Sequence, residues 1–272
     1  KSLSYFEMLL VASLSALFIF GAVLTVQRKW RQVRHFSLKE WRWFALVGLL
    51  NPAIYYLILF RSYELLPAQV AQPINYSWPV LLLIVLAVFA SRPIPPLKYL
   101  GMAMSLLGVV FISFGPGGLK GISFSVPGLL LAFLSAFLWA GYWTLKTMNT
   151  KTDHVLALFM IFLFGSAYLL LGTLFTEVDL QSSEGLLAGI CVGAFEMAIP
   201  FIFFGAAIRD TNNPALINQM CYLAPFLSLF LIHRFLGEQI YISTYLGLFL
   251  IVFGIMFNEY LIKAFKTMKP AS

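Results

Sequence analysis

An internal repeat constrains the fold of this chain more than any other sequence feature. When the sequence is shifted by 146 residues it aligns with itself without a gap, and residues 76–111 and 222–257 share 11 identities in 36 positions. Tyr76, for example, aligns with Tyr222. Self-similarity of this kind predicts the architecture, because each copy should fold in the same way. The sequence therefore predicts two homologous halves.

The composition indicates a membrane protein. Of the 272 residues, 61% are hydrophobic and 11% are charged, whereas a soluble domain has about 45–50% apolar and about 25% charged residues. Repeated apolar runs near or above about 18 residues, separated by short polar segments, are typical of transmembrane helices. Helices satisfy their own backbone hydrogen bonds in lipid, so we predict an all-α, polytopic transmembrane helix bundle.

Nine membrane spans can be placed on the apolar runs. We predict them at residues 5–26, 43–64, 68–90, 97–114, 124–145, 155–176, 185–208, 214–232 and 241–262. The longest connection, residues 27–42, is basic and is predicted to lie at the membrane interface. Residues 1–114 and 124–262 form the two predicted repeats of a single transmembrane unit.

The distribution of Lys and Arg predicts the orientation. The cationic residues assigned to one face are Arg28, Lys29, Arg31, Arg34, Lys39, Arg42, Arg92, Lys98, Lys146, Lys151, Arg209, Lys263, Lys266 and Lys269, and those assigned to the other face are Lys1, Arg61, Lys120 and Arg234. Because cytoplasmic loops carry the excess of Lys and Arg, we expect the first face and the C-terminus in the cytoplasm and Lys1 outside. The net charge of +7 is thus explained by orientation, not by nucleic-acid binding.

The repeat is inverted in the membrane. The shift carries spans 1, 2, 3 and 4 onto spans 6, 7, 8 and 9, and an odd number of spans separates each pair, so the two copies cross in opposite directions. Inverted repeats are strongly associated with secondary transporters. Span 5 has no partner, and we expect its counterpart just before Lys1, which would complete a five-plus-five arrangement.

Two sequence stretches resemble a known transporter family. Residues 222–255 contain a Pro-bearing helix, a Leu-Gly-Glu turn and a helix punctuated by glycine, and residues 74–112 contain the pattern Asn-Tyr-x-Trp-Pro. Both are similar to the EamA family of the drug/metabolite transporter superfamily, and the second resembles members related to bacterial aromatic amino-acid exporters. The resemblance implies a secondary or facilitative transporter in the cell inner membrane that exports amino acids or similar amphipathic metabolites by alternating access.

Both halves carry the same polar helix face. An amide, a Tyr four residues later and a Pro three residues after that project from one side of the helix; these residues are Gln72, Tyr76 and Pro79 in span 3, and Asn218, Tyr222 and Pro225 in span 8. An amide and a phenol can hydrogen-bond a polar substrate, and such groups usually face a bundle interior or a wet cavity. The alternative is that they bond to neighbouring helices.

Glu196 is an ionisable residue deep in a predicted span. It lies about ten residues from either end of span 7, or roughly 15 Å from each surface at a rise of about 1.5 Å per residue. A carboxylate there is costly unless it is paired, hydrated or protonated, which suits a proton carrier or a receptor for an ammonium group. A protonated Glu bonded to a neighbouring helix is the alternative. The repeat places Asn51 at nearly the same depth, so we predict that both residues contribute to the site.

Aromatic side chains are further candidates. We predict that Tyr55 and Trp78 contact substrate, and that Trp143 belongs to an interfacial aromatic belt, where Trp is enriched. No metal-ligand spacing, catalytic triad or nucleotide-binding loop is found in the sequence, so we expect no cofactor and no enzymatic activity. The expected partners are a small-molecule substrate and the bilayer, with protons as an optional coupling ion and a monomer or homodimer as the assembly. A proton-coupled multidrug exporter, a channel and a membrane sensor are the alternatives.

Overall fold

The regular elements that the structure describes are all helical, as predicted. The structure is a computed structural model, and it describes residues 3–66, 71, 74–89, 95–114, 125–149, 151–224, 227, 234 and 242–258. The α-helices are α1 Tyr5–Val26, α2 Leu38–Gly48, α3 Tyr55–Leu65, α4 Trp78–Phe89, α5 Pro96–Phe114, α6 Val126–Met148, α7 His154–Gly172, α8 Ser183–Val192, α9 Ile199–Asp210, α10 Pro214–Met220 and α11 Ile242–Met256. Two 3₁₀ segments, Trp30–His35 and Cys221–Leu223, and two interruptions, called the wide turns below, complete the described elements. The first wide turn, Leu49–Ile54, is a kink in which Asn51 leaves helical geometry, and the second, Gly193–Ala198, is a π-type turn.

Five helices among the described residues are long and apolar enough to cross a membrane. They are Tyr5–Val26, Leu38–Leu65, Val126–Lys146, His154–Gly172 and Ser183–Asp210. The chain is therefore a multi-pass membrane protein, as the composition predicted. Parts of the predicted spans 3, 8 and 9 lie outside the described residues.

The second span begins earlier than predicted, at Leu38 instead of residue 43. Ser37 and Glu40 form a capping box, in which the Ser37 side chain accepts a hydrogen bond from the Glu40 backbone N–H and Glu40 accepts one from the Ser37 backbone N–H. A capping box satisfies N–H groups that the first helical turn leaves unpaired. Part of the segment 27–42, which we predicted to be interfacial, is therefore the first turn of a membrane-length helix.

The helix bounds repeat with the same spacing as the sequence. Shifting the helical span Leu38–Leu65 by 146 residues gives 184–211, and the observed counterpart is Ser183–Asp210. The same shift places the first residue of α5, Pro96, at 242, and α11 begins at Ile242. The repeat seen in the sequence is thus also a repeat of structure.

The chain divides into two compact units that do not coincide with the two repeats. The first unit contains residues 1–61 and 145–210, and the second contains residues 62–144 and 211–272. Each unit therefore takes helices from both halves of the sequence.

In the first unit, the equivalent helices α1 and α7 pack in opposite directions. The Ser13 and Ser166 hydroxyls are hydrogen-bonded at 2.7 Å, and a Cβ atom at Gly21 would lie 3.4 Å from the Phe159 ring. Residue numbers rise along α1 as they fall along α7, so the two helices are antiparallel. This is the inverted relationship that the odd number of intervening spans predicted.

In the second unit, α5 and α11 are also equivalent and antiparallel. A Cβ atom at Gly108 would lie 2.5 Å from the carbonyl oxygen of Gly247, and one at Gly254 would collide with the carbonyl oxygen of Gly101. The shift of 146 exchanges these two contacts, because it carries Gly101 to Gly247 and Gly108 to Gly254. The small residues let the two backbones approach closely, as they commonly do in membranes.

Both long spans of the first unit contain a wide turn near their centre. Leu49–Ile54 separates α2 from α3, and Gly193–Ala198 separates α8 from α9. Each turn packs on a helix of the other repeat: the first lies against α7 and the second against α1. π-type turns such as Gly193–Ala198 often occur at functional sites.

Candidate functional site

Asn51 lies within the first wide turn. Its backbone is extended, with φ −147° and ψ 126°, and a Pro follows it. The side chain is fully buried, and neither atom of its amide has a hydrogen-bond partner among the described residues. Buried polar groups are nearly always satisfied in proteins. The Asn51 amide can therefore accept and donate hydrogen bonds to a ligand or a water molecule.

Helix α7 packs closely against the end of α2 and the first wide turn, which contains Asn51. A Cβ atom at Gly48 would lie 2.5 Å from the carbonyl oxygen of Ile161, and one at Gly165 would collide with the Pro52 ring. Two glycines thus permit the contact that seats this wide turn on α7. The contact fixes the position of Asn51 within the first unit.

Glu196 belongs to the second wide turn and its side chain is exposed. The turn is held on α1 at Gly193, where a Cβ atom would lie 2.7 Å from the Ser15 Cβ. Met197 and Ala198 are buried beside Glu196. Met197 and Ala198 thus face the packed side of this helix, whereas Glu196 lies on its exposed side near the middle of a 28-residue span.

Tyr55 and Tyr56 follow Asn51 at the start of α3. They are 4% and 1% exposed, and their rings meet edge to face with centroids 4.7 Å apart. The predicted site residue Tyr55 is therefore a buried member of an aromatic pair in the first unit.

Tyr76 and Tyr222, the two equivalent tyrosines, lie in one cluster of the second unit. Tyr222 is fully buried with Val109 of α5 and Ile251 of α11, and Tyr76 packs against this group. The Tyr222 hydroxyl has no hydrogen-bond partner among the described residues. The antiparallel pair of α5 and α11 thus brings together two residues that are far apart in sequence.

Trp78 begins an aromatic cluster with α6. Its ring meets that of Trp139 with centroids 6.2 Å apart, and Trp139 contacts Tyr142 at 5.7 Å and Trp143 at 5.9 Å. Next to Trp78, the Asn75 amide donates a hydrogen bond to the Ser135 hydroxyl at 3.1 Å. This cluster forms a buried aromatic surface with a polar contact at one side.

The expectation that Trp143 lies in an interfacial belt is wrong. Trp143 is 1% exposed, so it packs within the protein, whereas a belt residue faces the lipid headgroups. Two aromatic residues of the same helix, Trp139 and Tyr142, contact its ring with centroids 5.9 and 5.2 Å away.

Two predicted site residues cannot be assigned. Gln72 lies outside the described residues, and so does the side chain of Asn218, although its backbone belongs to α10. Their role in the predicted amide-Tyr-Pro face stays a prediction.

A polar network missed in the sequence surrounds Gln219. The side chain is fully buried, and its amide donates to the Ser105 hydroxyl at 2.8 Å and to the Gly101 carbonyl at 3.1 Å. Its oxygen accepts a hydrogen bond from Asn258 at 2.7 Å. The sequence shows the Gln219 amide directly after Asn218. The repeat, however, aligns Gln72 with Asn218 and therefore singled out Asn218. This network ties α10 to α5 and to Asn258, two residues after the end of α11.

Charged side chains bind one another near the start of α7 in the first unit. Lys29 donates to the Asp153 carboxylate at 2.6 Å, and Asp153 caps α7 by accepting from the N–H groups of Val155 and Leu156. Burial alone would raise the pKa of Asp153, but the hydrogen bonds from Lys29 and the two backbone groups lower it below its usual value. Asp153 thus stays ionised and anchors the basic segment to α7.

Similar proteins are transporters. The chain is 27% identical over 260 residues to the uncharacterized transporter YvbV of Bacillus subtilis (strain 168), covering 93% of this chain and 83% of that protein. It is 27% identical over 253 residues to the uncharacterized transporter YdfC of the same organism, covering 92% and 79%. It is 23% identical over 187 residues to the aromatic amino acid exporter YddG of Escherichia coli (strain K12), covering 66% and 63%.

A crystal structure of another protein has the same fold. The two superpose with a TM-score of 0.78 at 22% sequence identity, over 96% of this chain and 89% of the other. This likeness agrees with the all-α helix bundle described above.

The sequence also matches a transporter family over almost its whole length. The match to the EamA-like transporter family covers residues 1–114 and 126–260, in agreement with the resemblance of the motifs around Tyr76 and Tyr222. The inverted repeat accounts for the antiparallel packing of α1 on α7 and of α5 on α11. The chain is therefore a membrane transporter that belongs to the EamA-like transporter family.

Proposed function

We propose that this transporter exports small amphipathic metabolites, with amino acids as the first class, by alternating access. A family match establishes transport but not the substrate. Three features of the described residues support the finer proposal: the tyrosine cluster, the aromatic cluster at Trp78 and the accessible carboxyl group of Glu196.

The contact of Tyr76 and Tyr222 with one cluster is the observation that carries the proposal. The two residues are equivalent under the inverted repeat, and both pack beside Val109 and Ile251. In transporters built from inverted repeats, the substrate site lies near the bilayer midplane where the repeats meet. The Tyr222 hydroxyl, which has no partner among the residues that the structure describes, supplies a hydrogen-bonding group that an apolar packing role does not require.

The aromatic cluster favours a substrate with an apolar or aromatic side chain. Trp78 and Trp139 offer ring faces and edges, which stabilise aromatic partners beyond the burial of their area. The similarity to an aromatic amino acid exporter supports the same class. A substrate of this kind combines an apolar body with charged groups, so it also needs polar partners.

Glu196 and Asn51 would supply such polar groups in the first unit. A carboxylate exposed to hydrocarbon is very unfavourable, so we infer that the accessible side chain of Glu196 faces water. A hydrated carboxyl near the centre of a span can bind an ammonium group or exchange a proton. The amide of Asn51, for which the described part of the chain offers no partner, can bind a carboxylate or a hydroxyl group.

A flux screen in proteoliposomes tests the proposal. The purified protein is reconstituted, and the efflux of radiolabelled aromatic, aliphatic and charged amino acids is measured with and without a pH gradient. We expect saturable efflux of at least one aromatic or large apolar amino acid. Flux that does not saturate would indicate a channel, and no flux of any amino acid would contradict the proposed substrate class.

A proton-coupled multidrug exporter is the second candidate, and Glu196 is the observation that favours it. An exposed carboxyl within an apolar span suits lipophilic cations as well as amino-acid ammonium groups. The same vesicles, loaded with a lipophilic cationic dye, distinguish the two candidates. Dye efflux driven by a pH gradient without amino-acid flux would favour the multidrug function.

A further inference from the structure

A cavity at the membrane boundary of the first unit is separate from all the residues discussed as substrate candidates. Its volume is about 440 Å³. The residues that line it are Ser37, Lys39, Glu40, Trp43, Leu145, Asn149 and Lys151. They come from the start of α2, the end of α6 and the connection before α7.

The cavity lies where two spans leave the membrane. Lys39 belongs to the first turn of the span Leu38–Leu65, and Leu145 belongs to the last turn of the span Val126–Lys146. Both ends are on the face predicted to be cytoplasmic. Side chains at this level meet the phosphate and glycerol groups of the lipids instead of the hydrocarbon core.

The charges that line the cavity are not balanced. Lys39 and Lys151 are both exposed, and they approach from two different segments of the chain. Glu40 is the acidic residue in the lining, and its carboxylate accepts hydrogen bonds at 2.7 Å from both the backbone N–H and the hydroxyl of Ser37. Glu40 caps α2 and also attracts Lys151 electrostatically. The two ammonium groups and one carboxylate leave the lining with a net positive charge.

The remaining lining suits a lipid headgroup. The Asn149 side chain can donate hydrogen bonds to a phosphate oxygen, whereas Trp43 and the 39% exposed Leu145 give the cavity an apolar wall. A soluble anion gains nothing from such a wall. A phospholipid places its phosphate near the ammonium groups and its glycerol and first methylene groups against Trp and Leu.

We propose that this cavity binds the phosphate group of an anionic phospholipid, such as phosphatidylglycerol. Basic pockets between transmembrane helices are known to recognise such headgroups. The inference concerns a lipid site on the first unit and does not depend on the identity of the transported substrate.

Native mass spectrometry of the purified protein tests the site. The protein is equilibrated with equimolar phosphatidylglycerol and phosphatidylcholine, and the ratio of retained lipids is measured. We expect the wild type to retain phosphatidylglycerol preferentially. The double variant Lys39→Gln/Lys151→Gln should lower that preference by at least about fivefold, since one basic residue near an anionic surface contributes about 1 kcal/mol.

A matched variant controls for a general effect of charge. Arg31 and Arg34 are exposed, lie in the 3₁₀ segment Trp30–His35 and do not line the cavity. Arg31→Gln/Arg34→Gln removes the same charge and should keep the lipid preference, and so should Lys39→Arg/Lys151→Arg. Thermal unfolding of each variant shows whether it is folded, and the Arg variant gives a result even if the Gln variant is unstable.

Three results would overturn the proposal. The first is a wild-type protein without preference for phosphatidylglycerol. The second is an equal loss in Arg31→Gln/Arg34→Gln, which would indicate a diffuse electrostatic attraction. The third is displacement of the lipid by millimolar inorganic phosphate, which would identify a soluble anion as the occupant.

Discussion

The hydroxyl of Ser105 donates a hydrogen bond to the backbone carbonyl of Ile251 at 3.2 Å, and the two residues occupy the same position in the two repeats. The shift of 146 carries one onto the other. A contact between equivalent residues can form only where the symmetry axis relating the repeats passes between them. The axis of the second unit therefore crosses the pair of α5 and α11 at Ser105 and Ile251.

The glycines on either side of that axis should be intolerant of substitution. A Cβ atom at Gly108 would lie 2.5 Å from the Gly247 carbonyl, whereas one at Gly141, on α6, would meet nothing within 4 Å. Gly108→Ala should destabilise the protein by about 1–3 kcal/mol, because overpacking forces backbone shifts. Gly141→Ala should be neutral or stabilising by up to about 1 kcal/mol. Thermal unfolding in detergent measures both, and equal effects would contradict the close packing of α5 on α11.

The hydroxyl of Tyr222 should contribute to substrate binding more than to stability. Tyr222→Phe removes a buried group that has no partner among the described residues, so the protein should unfold at the same or a higher temperature. The affinity for a polar substrate should fall by about 1–2 kcal/mol, which is the scale of one hydrogen bond in a membrane. Binding is measured by scintillation proximity on purified protein.

A tyrosine on the protein surface provides the control for this experiment. Tyr245 on α11 is 56% exposed, and Tyr245→Phe should leave both affinity and stability unchanged. If the two variants bind equally well, the Tyr222 hydroxyl does not contact substrate.

The carboxyl group of Glu196 should be required for coupling to a pH gradient. If Glu196 exchanges a proton for substrate, Glu196→Gln should keep binding and abolish the dependence of flux on the gradient, because the amide forms hydrogen bonds but does not titrate. If Glu196 instead binds an ammonium group, the same change should raise the Michaelis constant and spare neutral substrates. Counterflow and gradient-driven flux in proteoliposomes separate these outcomes.

Glu184 offers a matched carboxyl at the start of the same span. It is exposed in the first turn of α8, and Glu184→Gln should change neither coupling nor affinity. A wild-type flux that is indifferent to pH, together with a silent Glu196→Gln, would remove Glu196 from the mechanism.

Asp153 should make stability dependent on pH. Its pKa in the folded protein is lowered from its usual value of 3.8, so its contribution is fully present above about pH 4 and is lost as the pH falls through the lower folded pKa. Asp153→Asn should remove this dependence and the bond to Lys29, which is worth about 0.2–1 kcal/mol. Unfolding measured between neutral and acidic pH tests the effect.

The cap that Asp153 provides can be separated from its charge. Asn is a good helix cap and Ala is not. The free energy of unfolding of Asp153→Ala should therefore be lower than that of Asp153→Asn by about 0.5–2 kcal/mol. Equal stability of the two variants would show that capping at the start of α7 contributes little.

Much of the fold was predictable because membrane helices are specified by local apolar runs. The first span was placed at residues 5–26, and α1 is Tyr5–Val26. The start of the second span was wrong by five residues, since Lys39, Glu40 and Arg42 make the first turns of that helix polar and hide its beginning. Capping by Ser37 decides that boundary, and hydropathy does not register it.

The candidate site was less predictable because it depends on which side chains meet. The repeat singled out Tyr76 and Tyr222, which the structure places in one cluster. The repeat does not identify which helices are neighbours. It therefore gave no indication of the Gln219 network or of the burial of Trp143. A helical pattern shows which face of a helix is apolar but not which helix covers it.

The two wide turns have a consequence for the history of this protein. They divide their spans almost evenly, into helices of 11 and 11 residues in one copy and of 10 and 12 in the other. Pro52 lies within the first turn, but Gly193–Ala198 contains no proline. One span is broken by a kink at Asn51 and the other by a π-type turn. Two copies of one duplicated half would inherit such a shared position, and within this chain the place of the break is repeated more closely than the residues that form it.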